Sequence, residues 1–365
     1  MSVNLDRHRV LCIGDRFITA ESFADAVARE FGPGAATVRY QTHWPDEPFR
    51  AVDGVREAAG DPAEIVGRCG DVTAIVTHLG PITAAVFDAA PALEVVGITR
   101  GGPVNVDLAA ASAHGVPVIY LPGRNLGAVS EFVIGLMIAL CRNVGVSSRE
   151  LAAGRWDARY FRNDLTGPEL RTATVGLGAV GARVAELLRG FGTRVLAFDP
   201  YADVDVAVRA GAELVSLEQV LTESDIVSVH ARLTDDTRAM FGATAFAAMK
   251  PGARFVNTAR GELVDQSALR DSLDRGHLAG AALDVFDPEP PAPDDPLLAR
   301  ADVIVTPHLA GSSRQVASES VHRVVAEVAG YLADGELQHC ANPGFSAARS
   351  PSAGPAASSP DVGAG

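Results

Sequence analysis

Short apolar runs alternate along the chain with longer stretches whose apolar residues recur at helical spacing. Residues 10–14 form the first apolar run, and Ala20–Phe31 forms the helical stretch that follows it, before a loop rich in Pro and Gly. This pattern is typical of a strand followed by a helix. Three further strands are predicted at residues 72–77, 93–99 and 117–121. Strands that alternate with helices predict a small parallel α/β domain in the first third of the chain.

The same alternation continues beyond an apolar helix predicted at residues 129–141. A loop near Gly167 and Pro168 leads into a second series of strands, and one last helix is predicted at 318–332. The tail from residue 346 to 365 is rich in Ala, Ser, Pro and Gly, which predicts a disordered segment. The strands of this second, doubly wound half are predicted at 173–175, 194–198, 225–230, 253–257, 280–286 and 302–306.

A glycine-rich turn organises this second half. Gly176, Gly178 and Gly181 form G-x-G-x-x-G between an apolar strand and an amphipathic helix. The first glycine permits the tight turn, the second lets the backbone approach a pyrophosphate, and the third lets the helix pack closely on the strand. The N-terminus of such a helix offers unpaired N–H groups to phosphates. The motif therefore predicts a dinucleotide-binding unit.

The next strand ends at Asp199, whose carboxylate can accept hydrogen bonds from both ribose hydroxyls and repels a 2′-phosphate. NAD is therefore expected rather than NADP. An ordinary flexible turn in an Ala- and Gly-rich protein is the alternative. The apolar run before Gly176 spans only residues 173–175, so the first strand is either truncated or begins earlier, at Leu170. A truncated strand would indicate a degenerate enzyme that no longer binds NAD.

Composition narrows the class of protein. A chain of 365 residues is long enough for two domains, and its net charge of −14 disfavours nucleic acids and anionic membranes as partners. The first nine residues are polar, so no secretory signal is expected, and helix 129–141 is too short to span a bilayer and contains Glu131. The four cysteines lack the spacing of a metal or disulfide site, which favours a cytoplasmic protein without a metal.

Three polar residues follow strands of the second half and are expected at one edge of its sheet. They are Arg260, Glu289 and His308. Reduction of a carbonyl by hydride requires a cation that polarises the ketone and a general acid that protonates its oxygen. Arg260 can supply the cation and His308 the acid, while Glu289 favours the charged imidazole. Taken singly, each could instead be an ordinary surface or loop residue.

Several separate motifs together resemble the D-isomer-specific 2-hydroxyacid dehydrogenase family, which includes phosphoglycerate dehydrogenases and glyoxylate or hydroxypyruvate reductases. The resemblance covers about residues 72–342. It implies that Arg260, Glu289 and His308 are catalytic, and Glu289 disfavours the related formate dehydrogenases, which pair the histidine with Gln. The motifs are RGGPVNVDLAAA, GRNLGAVSEF, GLGAVG with Asp199, VHARLTDDTR, MKPGARFVNTARGELVD, AALDVFDPEP and TPHLAG.

The resemblance also implies residues that bind the cofactor and the substrate. Backbone at Ala179 and Val180 would contact the pyrophosphate, and Asp284 the nicotinamide carboxamide. The substrate carboxylate would bind the N–H groups of Gly101 and Gly102. The implied cofactor-binding set is Gly176, Gly178, Ala179, Val180, Gly181, Asp199, Thr258, Ala259, Arg260, Asp284, His308 and Gly311, and the implied substrate-binding set is His78, Arg100, Gly101, Gly102 and Arg260.

The family's architecture is a Rossmann NAD-binding domain with a doubly wound parallel sheet, inserted in a discontinuous, flavodoxin-like α/β substrate domain. Here the inserted domain would span 126–311, and the substrate domain 1–125 with 312–345. The cleft between the domains would close on NAD and a small 2-oxo or D-2-hydroxy acid. Helix 129–141 would lie on a homodimer surface. An NAD-sensing partner protein of the same fold, similar to some co-repressors, is the alternative to an enzyme.

Overall fold

The computed structural model describes residues 5–161 and 170–345. The described chain forms two compact units, one of residues 5–124 with 317–345 and the other of 125–161 with 170–316. The loop predicted near Gly167 and Pro168 and the tail predicted at 346–365 lie outside the described residues. Which unit binds the substrate and which the cofactor stays, at this point, a prediction.

The first unit contains a five-stranded parallel sheet. Counted along the chain, its strands lie in the order 2-1-3-4-5, which is that of flavodoxin-like folds. A separate antiparallel hairpin is inserted after the second of them. The strands of the sheet are β1 (Arg9–Gly14), β2 (Ala36–Gln41), β5 (Ala74–Thr77), β6 (Val95–Ile98) and β7 (Val118–Ile119), and those of the hairpin are β3 (Arg50–Val52) and β4 (Val55–Ala58).

Helices cover both faces of this sheet. α1 (Ala20–Phe31) starts at Thr19, whose side chain accepts a hydrogen bond from the N–H of Ser22, and it buries Phe23 and Val27. The same cluster contains Val324 and Val328 of the last helix. The opposite face is covered by the short helices of the unit. The remaining helices are α2 (Pro62–Val66), α3 (Ala84–Ala89), α4 (Leu108–Ala113) and α12 (Arg314–Asp334).

The second unit contains a seven-stranded parallel sheet. Its order along the chain is 3-2-1-4-5-6-7, which is the doubly wound Rossmann order with one strand added. The predicted fold class is therefore confirmed. The strands are β8 (Arg171–Val175), β9 (Arg194–Phe198), β10 (Ala212–Leu214), β11 (Ile226–Val229), β12 (Arg254–Asn257), β13 (Gly280–Leu283) and β14 (Val303–Val305).

The longest apolar helix of this unit packs on the helix that follows the glycine turn, through a buried cluster of Val, Leu and Met side chains. No single helix among the described residues is long and apolar enough to cross a membrane, although α5 and α6 pass that test as a pair bent by 62°. The helices are α5 (Leu126–Cys141), α6 (Val144–Ala152), α7 (Ala179–Arg189), α8 (Val204–Ala210), α9 (Leu217–Glu223), α10 (Ala243–Ala248) and α11 (Gln266–Asp274).

The first Rossmann strand is not truncated. β8 begins at Arg171 and has five residues, as many as β9, with which it pairs along its whole length. The short apolar run hid this strand because Thr172 is polar, yet it is buried and β-branched, which suits a strand. Strands β2 and β10 and the β3–β4 hairpin were absent from the sequence prediction, and α5 begins at Leu126 rather than at residue 129.

Candidate active site

The glycine turn has the close backbone contacts that its sequence predicts. Gly176 has a φ of +94°, and a methyl group there would lie 2.6 Å from the backbone N of Ala231. At Gly181 a methyl group would lie 2.0 Å from the carbonyl oxygen of Gly176. Gly178, by contrast, has no atom within 4 Å of such a methyl group. The first and third glycines are thus required by packing, and the second leaves open space beside the turn.

The start of α7 suits a pyrophosphate. Gly178 is its N-cap and provides no side chain, and the first intrahelical bond joins the N–H of Ala182 to the carbonyl of Gly178. The amides of Ala179, Val180 and Gly181 precede that bond, so they are the unsatisfied donors of the first turn. Such donors, with the positive end of the helix dipole, bind phosphate groups. The residues present therefore fit a dinucleotide.

Asp199 joins the glycine turn to the end of β9. Its Oδ2 accepts a hydrogen bond of 2.8 Å from the N–H of Leu177, and its Oδ1 accepts one of 2.9 Å from the N–H of Tyr201. A carboxylate has about four acceptor positions. Two therefore remain for ribose hydroxyls, and the fixed negative charge disfavours a 2′-phosphate.

The loop after β12 contains the residues implied for the nicotinamide side. The hydroxyl of Thr258 is buried and has no hydrogen-bond partner among the described residues. A buried hydroxyl without a partner is costly, so this hydroxyl fits a bound ligand that forms a hydrogen bond with it. Ala259 donates its N–H to Asn257 Oδ1 at 3.0 Å. A methyl group on Gly311 would lie only 2.5 Å from the side-chain nitrogen of Asn125, and the contact of Gly311 with NAD stays a prediction.

His308 and Glu289 form a hydrogen-bonded pair. Nδ1 of His308 lies 2.9 Å from Oε2 of Glu289, and Oε1 of Glu289 accepts a hydrogen bond of 2.9 Å from the N–H of Phe286. Burial raises the pKa of Glu289, but the hydrogen bond and charge of His308, the Phe286 amide and the charge of Arg260 outweigh it and hold that pKa below its usual value. Glu289 is therefore held as a carboxylate in contact with the imidazole of His308.

Arg260 reaches the same edge of the sheet. Its charge contributes to the low pKa of Glu289, and its Nη1 donates a hydrogen bond of 2.7 Å to the carbonyl of Ala259. The next residue, Gly261, allows this loop to approach the loop of Glu289. A methyl group on Gly261 would lie 2.0 Å from the carbonyl carbon and oxygen of Phe286. The backbone contact at Gly261 therefore positions the two side chains together.

Asp284 supports the loop of His308. Its carboxylate is fully buried and accepts hydrogen bonds from the hydroxyl of Thr306 at 2.6 Å and from the N–H groups of Leu309 and Ala310 at 2.7 and 2.8 Å. His308 itself has a φ of +53°, an uncommon conformation that this network holds in place. Burial raises the pKa of Asp284 in spite of these bonds. Its contact with a nicotinamide carboxamide stays a prediction.

All residues of the implied substrate-binding set except Arg260 lie in the first unit, at the carboxyl edge of its sheet. His78 is almost fully buried and bonds to Asp15, while Arg100 pairs with Glu57. Gly101 and Gly102 follow in the same loop as Arg100 and are partly or fully exposed. Their contact with a substrate stays a prediction.

Sequence reasoning missed three residues that lie near the predicted substrate-binding and catalytic residues. Asp15 and Arg124 both contact His78, and Gly261 brings the loops of Arg260 and Glu289 together. Arg124 lies in the motif GRNLGAVSEF, shortly after the strand predicted at 117–121, and this position was the available signal for it. Asp15 also directly follows a predicted strand, at residues 10–14, but its partner His78 is 63 residues away, so the contact between them could not be predicted.

Comparison with known proteins agrees with this geometry. Residues 134–310 match the sequence model of the D-isomer specific 2-hydroxyacid dehydrogenase NAD binding domain. A glyoxylate reductase from Korarchaeum cryptofilum is 36% identical over 271 residues, which cover 71% of this chain and 82% of that protein. The chain therefore belongs to the D-isomer specific 2-hydroxyacid dehydrogenase family, and its second unit contains the NAD-binding domain. NAD is the cofactor.

Two other matches define the extent of the similarity. D-3-phosphoglycerate dehydrogenase 2 from Arabidopsis thaliana chloroplasts is 42% identical over 254 residues, which cover 69% of this chain. The chain spans only 40% of that plant protein's length. The crystal structure of the TT0316 protein from Thermus thermophilus superimposes with a TM-score of 0.77 and 29% identity, and covers 91% of this chain and 99% of that one.

Proposed function

We propose that this chain is an NAD(H)-dependent oxidoreductase that interconverts a small 2-oxo acid and the corresponding D-2-hydroxy acid. The observation that carries the proposal is the hydrogen-bonded pair of His308 and Glu289 beside Arg260, within a NAD-binding domain. The names of the similar proteins support this class of substrate, since one is a glyoxylate reductase and another a phosphoglycerate dehydrogenase.

The residues divide the chemistry between them. NADH, when bound, supplies the hydride that reduces the ketone. His308 bonds to Glu289 through Nδ1, so we assign to Nε2 the proton that is delivered to the substrate oxygen. Glu289 orients the ring and stabilises its charged form. Arg260 binds the substrate carboxylate and polarises the carbonyl group. In the opposite direction, His308 accepts the proton of the hydroxy acid.

Part of the substrate site is proposed for the first unit. The N–H groups of Gly101 and Gly102 would bind the substrate carboxylate, and His78 and Arg100 would lie near it. These loops follow β5 and β6, and ligands of parallel α/β sheets bind at the carboxyl ends of the strands.

We also propose that the chain forms a homodimer through α5 and α6. Ile138, Val144 and Leu151 are large apolar residues of these helices with exposed surface. Exposed apolar residues that cluster on one surface are typical of association sites. Replacing Ile138 with Glu is expected to convert a dimer into monomers in sedimentation velocity. The matched change at Val208, an exposed apolar residue of α8, should leave the assembly unchanged; equal effects would contradict the proposed surface.

A substrate panel followed by NADH absorbance tests the activity. Glyoxylate, hydroxypyruvate and pyruvate are offered with NADH and with NADPH, and turnover is expected with NADH. His308→Gln should lower kcat about 100- to 10,000-fold, the contribution typical of a general acid, while NADH binding measured by fluorescence is retained. The control is His114→Gln, because His114 also pairs with a carboxylate, Asp88, but on the surface.

Three outcomes would contradict the proposal. The first is a lack of turnover across the panel while NADH still binds, which would favour an NAD-sensing partner protein. The second is the absence of NADH binding. The third is full activity in His308→Gln, which would show that another group donates the proton.

A further inference from the structure

Three loops of the first unit place Asp15, His78 and Arg124 in contact at the carboxyl edge of the five-stranded sheet. Nδ1 of His78 lies 2.6 Å from Oδ2 of Asp15, and Nε2 of His78 lies 3.3 Å from Nη2 of Arg124. The other oxygen of Asp15 accepts hydrogen bonds of 2.9 Å from the N–H groups of Phe17 and Ile18. Asp15 is thus fixed as an acceptor, so Nδ1 of His78 carries the proton and Nε2 is the acceptor that faces Arg124.

The imidazole of His78 is neutral at pH 7. Burial, assisted by the charges of Arg124 and Arg100, lowers its pKa to about 4 against the opposing effect of Asp15. A neutral acceptor orients a guanidinium without cancelling its charge. Among the described residues, no carboxylate lies within ion-pair distance of Arg124, whereas Arg100 pairs with Glu57 at 2.5 Å. The positive charge of Arg124 is therefore not balanced by a direct contact.

The donors of Arg124 are also incompletely used. Nη1 has a long hydrogen bond of 3.4 Å to Oγ of Ser320, and Nε is buried with no partner among the described residues. A guanidinium has five N–H donors in a fixed planar arrangement, which matches the oxygens of a carboxylate or a phosphate. Although Asp15 acts on the charge of Arg124 at longer range, an oriented guanidinium with unused donors and no described carboxylate in direct contact fits an anion as its missing partner.

The neighbouring backbone fits the same ligand. The N–H of Leu121 bonds to the carbonyl of Arg100, which holds the loops after β6 and β7 side by side. A methyl group on Gly101 would lie 3.6 Å from the carbonyl oxygen of Leu121 and 3.9 Å from the N of Gly123. The glycine loop proposed above for the substrate therefore lies next to the loop of Arg124.

We propose that Arg124 binds an anionic group of the substrate, and that Asp15 and His78 are positioning residues that orient it. The proposal rests on the function proposed above. The group is a carboxylate or a phosphate, and it is either the carboxylate next to the carbonyl carbon or a second anionic group elsewhere on the substrate. Arg124 would then decide which 2-oxo acids the protein accepts.

Steady-state kinetics of three variants tests the contact. Arg124→Met removes the charge, Arg124→Lys keeps it, and Arg39→Met is the control, because Arg39 is an exposed arginine of the same unit that pairs with Glu21. With glyoxylate and 2-oxoglutarate as substrates, Arg124→Met is expected to raise KM about ten- to a hundredfold with much less change in kcat. In Arg124→Lys, which keeps the charge, KM should rise less than in Arg124→Met. An increase for 2-oxoglutarate alone assigns Arg124 to the second anionic group, and an increase for both assigns it to the shared carboxylate.

Anion binding without turnover separates this proposal from the activity. Thermal unfolding of the same variants is followed with oxalate, with inorganic phosphate and with neither. At least one anion is expected to stabilise the wild-type protein and Arg39→Met but not Arg124→Met. If neither anion stabilises the wild type, or if Arg124→Met keeps the full stabilisation and an unchanged KM, the proposal is wrong. A protein without turnover that shows the expected anion response contradicts only the proposed activity.

Asp15→Asn tests the positioning role. The amide keeps the shape of the carboxylate but removes the charge that fixes the proton on Nδ1 of His78. The same KM that Arg124→Met raises is expected to rise, by a smaller factor, with little change in kcat. An equal loss in kcat for every substrate would indicate a structural role only and would contradict the positioning role.

Discussion

Each unit contains a histidine bonded through Nδ1 to a carboxylate, and the two pairs differ mainly in exposure. In the second unit, His308 and Glu289 are 2.9 Å apart, with 33% and 23% of their side-chain surfaces exposed. In the first, His78 and Asp15 are 2.6 Å apart, with 3% and 1% exposed. The partially exposed pair can exchange a proton with a ligand, whereas the buried pair is closed to solvent.

Burial therefore suits the same pair of groups to the two different roles that we propose for them. Desolvation penalises the charged imidazole of His78 and lowers its pKa to about 4, more strongly than Asp15 can raise it. The low pKa of Glu289 shows the opposite balance, since the charges of His308 and Arg260 outweigh burial there. An imidazole and a carboxylate in contact are thus not sufficient for acid–base chemistry. The surroundings decide whether the pair moves a proton or orients a neighbour.

Removing the carboxylate of the exposed pair should have the largest effect. Glu289→Gln keeps a hydrogen-bonding group near His308 but removes the charge that stabilises the imidazolium. We expect kcat to fall about a hundredfold or more at neutral pH, with a smaller loss at lower pH, where protonation of the imidazole is easier. The pH profile of kcat measures this. Asp88→Asn, in the surface pair with His114, is the control; a Glu289→Gln profile parallel to that of the wild type would contradict the assigned role.

The exposed pair also depends on a backbone contact. Gly261→Ala would place a methyl group 2.0 Å from the carbonyl of Phe286, so the loops of Arg260 and Glu289 must separate. Overpacking of this kind costs about 1–3 kcal/mol. We expect a lower midpoint of urea unfolding together with a loss of activity.

Gly330→Ala is the matched control for that change. Gly330 lies inside α12 with no atom within 4 Å of a built methyl group, so alanine there should stabilise the helix by up to about 1 kcal/mol. Unchanged activity and stability in Gly261→Ala would mean that the two loops are not held by this contact.

The sequence predicted features formed by neighbouring residues better than contacts between residues that are far apart along the chain. The G-x-G-x-x-G turn and Asp199 lie within one strand–helix–strand unit, and α1 was predicted with its observed bounds because its helical pattern is local. Strand β2 was missed because it is a half-exposed edge strand, in which no position is fully buried. Its sequence, ATVRYQ, therefore lacks a strong apolar run.

The buried pair shows why part of a site escapes such reasoning. His78 was implied by the family resemblance, whereas the role of Asp15 became visible only when the parallel pairing of β1 with β5 brought the two loops together. Moreover, a single sequence does not show whether a polar side chain such as that of Asp15 is buried. The exposed pair was easier to predict because the motifs around Glu289 and His308 resemble those of the family.

Finally, the buried pair predicts a loss of stability in acid. Burial, together with the charges of Arg124 and Arg100, lowers the pKa of His78 from 6.5 to about 4 in the folded chain, against the opposing effect of Asp15. Above pH 6.5 both folded and unfolded chains hold it neutral. As the pH falls toward 4, the unfolded chain binds the proton first, so the free energy of unfolding decreases, by about 2 kcal/mol between pH 7 and pH 5. His230, whose pKa burial also lowers to about 4, adds a similar loss. In urea unfolding, His78→Gln should lose about 2 kcal/mol less than the wild type over this interval. An equal loss in His78→Gln would mean that burial does not keep His78 neutral, and Arg124 would then face a charged ring rather than an acceptor.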